Sequence, residues 1–167
     1  MIRAGVIEPG NEVARVGIGA AVQKGAAKPD FSNQVALRSF LLNVNRIAGA
    51  AFTDGSVGSW VLRSFQRMGI ADAVLPKYQA YRLGVEMIEA VGKREADVVL
   101  SVMPDLADST IVDYAGPFPS DVQEYKIARA AVAARSPHKQ IGRQFIDFVR
   151  HPGHAELRRQ KWLFPLD

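Results

Sequence analysis

Short apolar runs of strand length alternate with amphipathic helical stretches from Arg15 to Val102, and this alternation constrains the fold more than any other feature of the chain. Arg15 to Val22 (RVGIGAAV), Arg46 to Phe52 (RIAGAAF), Tyr78 to Tyr81 and Ala96 to Val102 (ADVVLSV) read as strands. Each is too short for a buried helix and is bounded by turn residues. Between them, Ser32 is the expected N-cap of a helix ending near Asn45, with Val35, Leu37, Phe40, Leu41 and Leu42 at helical spacing. From Gly58, the residues Val61, Phe65 and Met68 fall at i, i+4 and i+7, and Gly69 stands where a left-handed cap would close that helix. Val85 to Val91 gives a third helix. Strand, helix, strand in this order predicts crossover units, hence an α/β fold with a mostly parallel sheet flanked by helices.

The last third reads differently. Ile111 to Ala115 and Tyr125 to Ala134 are extended segments around a Pro-containing loop, Gly116 to Ser120. Ser136-Pro137 then opens a helix carrying Ile141, Phe145, Ile146, Phe148 and Val149, stopped by Pro152-Gly153, and a last helix begins near His154. Trp60, Trp162, Phe145 and Phe148 lie among apolar neighbours at helical spacing and read as core.

Composition excludes several function classes. Nearly half of the 167 residues are apolar (48%), which excludes a disordered chain, and no cysteine is available as nucleophile, metal ligand or disulfide. The net charge is +4, from 21 Lys and Arg against 17 Asp and Glu spread along the chain, with no block of basic residues to mark a nucleic-acid footprint. Arg158, Arg159 and Lys161 read as a solvated helix face. Met1 to Gly10 contains no apolar run of signal-peptide length, so no export signal is expected there.

The residues with the most chemical promise are Asp54-Gly55-Ser56-Val57-Gly58-Ser59, which join a strand to the start of a helix. Free backbone amides at a helix N-terminus, with small residues letting a ligand approach, make an anion site, and Ser56 and Ser59 would add hydroxyl donors. The same residues serve equally as a plain cap and turn, with Ser56 capping the helix. Gly84, Val85 and Glu86 repeat the arrangement after the next strand, so both loops would share the rim at the carboxyl ends of the strands. Catalysis has no such support. No nucleophile elbow, zinc helix, phosphate loop or dinucleotide fingerprint occurs. His151 and His154 are separated by a helix-breaking Pro-Gly, and Asp97, Asp105, Asp108 and Asp113 flank strands without a pairing rule. No enzyme activity, cofactor or metal is expected.

In five stretches, taken in order, the chain resembles periplasmic solute-binding proteins of ABC transporters, of the molybdate-binding type: Arg15 to Asp30, Leu62 to Ala71, Val85 to Ala96, Val112 to Gln123 (VDYAGPFPSDVQ) and Gly142 to Pro152 (GRQFIDFVRHP). The resemblance implies a type II periplasmic-binding fold with one complete lobe and part of another. Residues 1–24 would be a first-lobe remnant and hinge strand, and residues 25–110 the second lobe. Residues 111–135 would be the return crossover, and residues 136–167 C-terminal helices packing on the first lobe or on a partner subunit. It also implies a small anionic ligand, a membrane permease as partner and a periplasmic location. Val57 stands where the family commonly has a hydroxyl, and Ser101-Val102 where polar contacts are usual, so Ser101 is the remaining donor there. Weak oxyanion binding and self-association, as a homo-oligomer or domain-exchanged dimer, are expected. The alternative is a cytoplasmic effector-sensing domain of the LysR-type regulator fold.

Overall fold

The computed structural model describes residues 5–53 and 55–166. Strand β1 (Asn11–Gln23) is followed by α1 (Gln34–Asn43), β2 (Ile47–Ala50), α2 (Val57–Arg67), a short α3 (Ala71–Val74), β3 (Tyr78–Tyr81), α4 (Gly84–Gly92), β4 (Val98–Val102), α5 (Met103–Ala107), β5 (Val112–Pro117), β6 (Tyr125–Ala130), α6 (Lys139–Arg150) and α7 (Ala155–Gln160). The expected alternation is present. Helices α3 and α5 escape a periodicity reading because neither reaches two turns.

The sheet order is β3-β2-β4-β1-β5, with β6 also on β1. Its parallel part is the trio β3-β2-β4, in which Ile47 stands opposite both Tyr78 and Val98. The long β1 runs antiparallel to β4, from Ile18 opposite Val102 to Val22 opposite Val98, and antiparallel to β5 as well. Strands β4 and β5 are thus parallel to each other, joined through α5, with β1 inserted between them. A period of apolar residues cannot show such an insertion, because strand direction leaves no mark on it.

Both faces of the sheet are covered. Ile47, Val98 and Leu100 point to one face and meet Leu37 and Leu41 of α1 and Val61 and Phe65 of α2. Ala48 and Val99, one residue out of phase, point to the other and meet Met87 and Val91 of α4 and Leu106 of α5. The cap of α1 is Asn33 rather than Ser32. Asn33 Oδ1 accepts the Ala36 amide at 2.9 Å, while the Ser32 amide is taken by Asp30 Oδ1 at 2.7 Å. Both residue types cap well, and the sequence alone does not choose between neighbours. Gly69 has φ +65 and closes α2 as its position predicts, with the Ile70 amide donating to the Phe65 carbonyl at 3.0 Å.

The chain forms two compact units, one of Gly17–Tyr125 and one of the residues up to Val16 together with those from Lys126 onward. The junctions fall inside β1 and at the start of β6. In the second unit the core reading of the aromatic pair fails: Phe145 is 63% exposed and Phe148 52%, and of α6 only Ile146 is buried. Trp60, in the first unit, is buried as expected, and Trp162 is half-buried.

Candidate functional site

Because β2, β3 and β4 are parallel, the chain leaves all three at one edge, and most of the predicted site residues lie in the loop after β2 and on the first turns of α2 and α4. At the ends of β2 and β3 lies a cleft of about 410 Å³ lined by Ala50, Ala51, Thr53, Ser56, Tyr81 and Arg82. Its inner wall is fixed by Tyr78, whose phenol donates to the Ala50 carbonyl at 2.8 Å. Burial pushes that phenol well above its ordinary pKa, so it stays a neutral donor. Phe52 stacks on the Tyr78 ring at 4.4 Å. Gly49 makes room for this arrangement, since a Cβ there would lie 2.0 Å from the Tyr78 hydroxyl oxygen.

Helix α2 aims its N-terminus at the same edge. A Cβ on Gly58 would lie 2.2 Å from the Ala50 carbonyl oxygen and 2.4 Å from that of Ala51, so only glycine lets the first turn press this closely on the end of β2. Gly55 holds φ +75, the left-handed conformation the turn requires. Asp54 lies outside the described residues. The hydroxyls expected to be ligand donors are engaged locally: Ser56 Oγ accepts the Ser59 amide at 3.2 Å and is within 2.7 Å of the Ala51 carbonyl and 2.6 Å of that of Thr53. Ser59 Oγ donates to the Ser56 carbonyl at 2.8 Å. The capping reading therefore describes both serines as they stand. What remains for an anion is the pair of first-turn amides, Val57 and Gly58, which have no carbonyl one turn earlier in the helix, and Arg82, which lines both this cleft and a neighbouring one with Glu86, Glu89 and Glu95. Among the described residues no carboxylate pairs with Arg82. The sequence reading missed Arg82 because one arginine beside a predicted strand has no distinguishing pattern; its position after β3, on the rim, was the available signal.

Gly84 and Val85 open into a different place. They line a groove of about 540 Å³ between α4 and α5, together with Ile88, Asp105, Asp108 and Ile111. Glu86 turns back to accept the Leu83 amide at 3.1 Å and so caps α4. Ser101 is buried and hydrogen-bonded to Asp105, whose carboxyl desolvation raises above its ordinary pKa against the lowering effect of that hydroxyl. The predicted set thus divides into a cleft with a cation and a groove with carboxylates.

Other singled-out residues have structural partners. Asp97 Oδ2 accepts the Asn45 and Arg46 amides at 2.7 and 2.9 Å, and Asp113 Oδ2 that of Gly25 at 2.8 Å. His151 Nδ1 accepts the Gly153 amide at 3.1 Å. Among the described residues no group of three His, Asp or Glu is placed to hold a metal ion, and no helix is long and apolar enough to cross a membrane.

A chain with this rim and this covered sheet has the architecture of periplasmic binding proteins. A family model of bacterial extracellular solute-binding proteins matches residues 1–160, and the chain belongs to that family. Its fold is similar to the substrate-binding domain of a molybdenum ABC transporter from Clostridium difficile (TM-score 0.73, 10% identity, 99% of this chain and 71% of that one). It is similar also to the periplasmic molybdate-binding protein of Azotobacter vinelandii (TM-score 0.72, 13% identity, 99% and 72%). A third similar structure is PEB3 bound to L-phospholactate (TM-score 0.69, 12% identity, 93% and 68%). In sequence it is 26% identical over 151 residues to an aconitate isomerase from a Pseudomonas species, a match that takes in 89% of this chain. The chain spans 56% of that curated relative's length.

Proposed function

We propose that the chain is the substrate-binding component of an ABC-type uptake system, or a portion of one, and that it takes a small anion against the cleft at the ends of β2 and β3. The observation that carries this is the convergence, at one rim, of the α2 N-terminus and the Arg82 guanidinium. Amides supply fixed donors and the guanidinium a two-pronged one, a pairing suited to a carboxylate or to a tetrahedral oxyanion. Molybdate, phospholactate and aconitate, in the names of three relatives, are small anions, whereas thiamin, in the name of another similar structure, is a cation, so the reading rests on the cleft rather than on the names. Family membership favours this reading over a regulator's effector domain. A periplasmic location and a membrane permease as partner follow from the same membership.

The reading is capture without chemistry. Membership of a solute-binding family supports this, and the aconitate isomerase likeness is taken as one of ligand class. Calorimetric titration with molybdate, sulfate, phosphate, trans-aconitate and phospholactate tests this. Saturable binding of at least one, weakened about tenfold by Arg82→Gln, is expected. Equal affinity in the variant places the site elsewhere, and conversion of cis-aconitate to trans-aconitate followed by NMR overturns the capture reading. We infer further that α6 mediates self-association, because Ile141, Phe145 and Phe148 form an exposed stripe at i, i+4 and i+7.

A further inference from the structure

The groove between α4 and α5 is lined by carboxylates and aliphatic side chains. The protein is basic, with a net charge of +4, yet Asp105 and Asp108 stand in this groove and no lysine or arginine is among its lining residues. A cation stands at one end, where Lys24 Nζ donates to the Thr110 carbonyl at 3.0 Å. The walls are aliphatic. Val85 on the first turn of α4 is 54% exposed and Ile111 is 41% exposed, with Ile88 between them, and Leu83, also 54% exposed, immediately precedes α4. Both helices are anchored from behind by Met87, Val91 and Leu106 in the core, so the groove belongs to the packed body of the Gly17–Tyr125 unit.

We propose that this groove is a docking surface for a cationic segment of a partner protein, one in which a lysine or arginine is flanked by aliphatic side chains. The Asp105 carboxyl is partly desolvated and its partner is the Ser101 hydroxyl, so it bears a solvation cost that a positive charge would offset. The long stem of a lysine or arginine would lie on Val85 and Ile88 while its head reaches the carboxylates. A free amine is a poorer occupant. The groove is open along its length and would leave most of a small ligand in water, whereas binding sites for small molecules bury the greater part of theirs. A segment gains the additional contact on Leu83 and Ile111. The net charge of the protein is positive, which disfavours non-specific attachment of such a segment. The inference uses no part of the anion cleft.

The probes are the peptides acetyl-LKALRL-amide and acetyl-LEALEL-amide, with 1,5-diaminopentane as a free amine, titrated into the isotope-labelled full chain and followed by amide NMR shifts. The cationic peptide is expected to move the amides of Val85, Ile88, Ser109 and Ile111 in a saturable way, with affinity falling as salt rises. Asp105→Asn should weaken it about tenfold. Should that variant lose stability, Thr110→Lys, at an exposed position, introduces the repelling charge without touching Ser101 and should weaken binding similarly. Shifts elsewhere in the chain, binding indifferent to both variants, or diaminopentane binding as tightly as the peptide would each overturn the proposal.

Discussion

The two units place their apolar residues in opposite ways. In Gly17–Tyr125 most large apolar side chains of α1, α2 and β4 are inside, Val35 being the exception on α1, and Leu37, Leu41, Phe65, Val98 and Leu100 are fully buried. In the unit that begins again at Lys126, Ile146 and Val132 are buried, while Ile141, Phe145, Phe148, Leu157 and Leu166 face outward. The first unit has closed its core, whereas the second still has a face to cover. Substituting Phe65 of α2, in the core cluster with Leu37 and Leu41 of α1 and Ile47, Val98 and Leu100 of the sheet, with alanine is expected to cost about 3–5 kcal/mol in chemical denaturation. Phe145→Ala should stay within about 0.5 kcal/mol. Equal costs would break the contrast.

Within the first unit, the sharper test is a methyl group. Gly58→Ala drives its Cβ toward two backbone oxygens that cannot rotate away, so α2 must shift, at roughly 1–3 kcal/mol. Gly55→Ala meets nothing within 4 Å and pays only for its left-handed φ, roughly 1 kcal/mol. If the α2 N-terminus is the anion site, Gly58→Ala should also weaken binding of whichever anion the calorimetry identifies.

This pair shows what was legible beforehand. Turn and cap residues around Ser56 identified the loop and the start of α2, because those conformations are local. The close approach of Gly58 to Ala50 and Ala51 was invisible, since it depends on where β2 ends relative to the helix. The separation of the rim into two chemistries was hidden for a similar reason. Arg82 lies in the loop after β3 and Asp105 in α5 after β4, and only the strand order decides which neighbours each one faces. The antiparallel entry of β1 is a further case, because RVGIGAAV reads the same in either direction of pairing. The exposed aromatics of α6 had a legible period; whether a periodic face is covered depends on the partner surface.

Self-association turns on that face. Phe145→Ser with Phe148→Ser should shift sedimentation toward monomer in a concentration series while the denaturation midpoint moves little, since both rings are more than half exposed. An oligomer that survives the pair of changes, or a protein that was monomeric before them, removes α6 as the contact.

The smallest effect concerns the charged edge of the same unit. Arg143 donates to both Glu8 carboxylate oxygens at 3.0 Å, and Lys139 stands 3.3 Å away. The Arg143 hydrogen bond, against an opposing desolvation and with help from Lys139, holds the Glu8 carboxyl below its ordinary value of 4.5. A carboxyl lowered on folding contributes stability above its unfolded value, and that contribution disappears as pH falls from about 4.5 through the folded value. The side chains are solvent-facing, so the contribution is slight and salt screens it. In Arg143→Gln, the Glu8 carboxyl titration read by NMR should move up toward 4.5. The melting temperatures of variant and parent should differ near neutral pH and converge once the pH has fallen below the folded value of the Glu8 carboxyl. A Glu8 titration indifferent to Arg143 would mean that the ion pair does not persist in solution, and the second unit would then have no charged contact at Glu8 to offset its exposed apolar face.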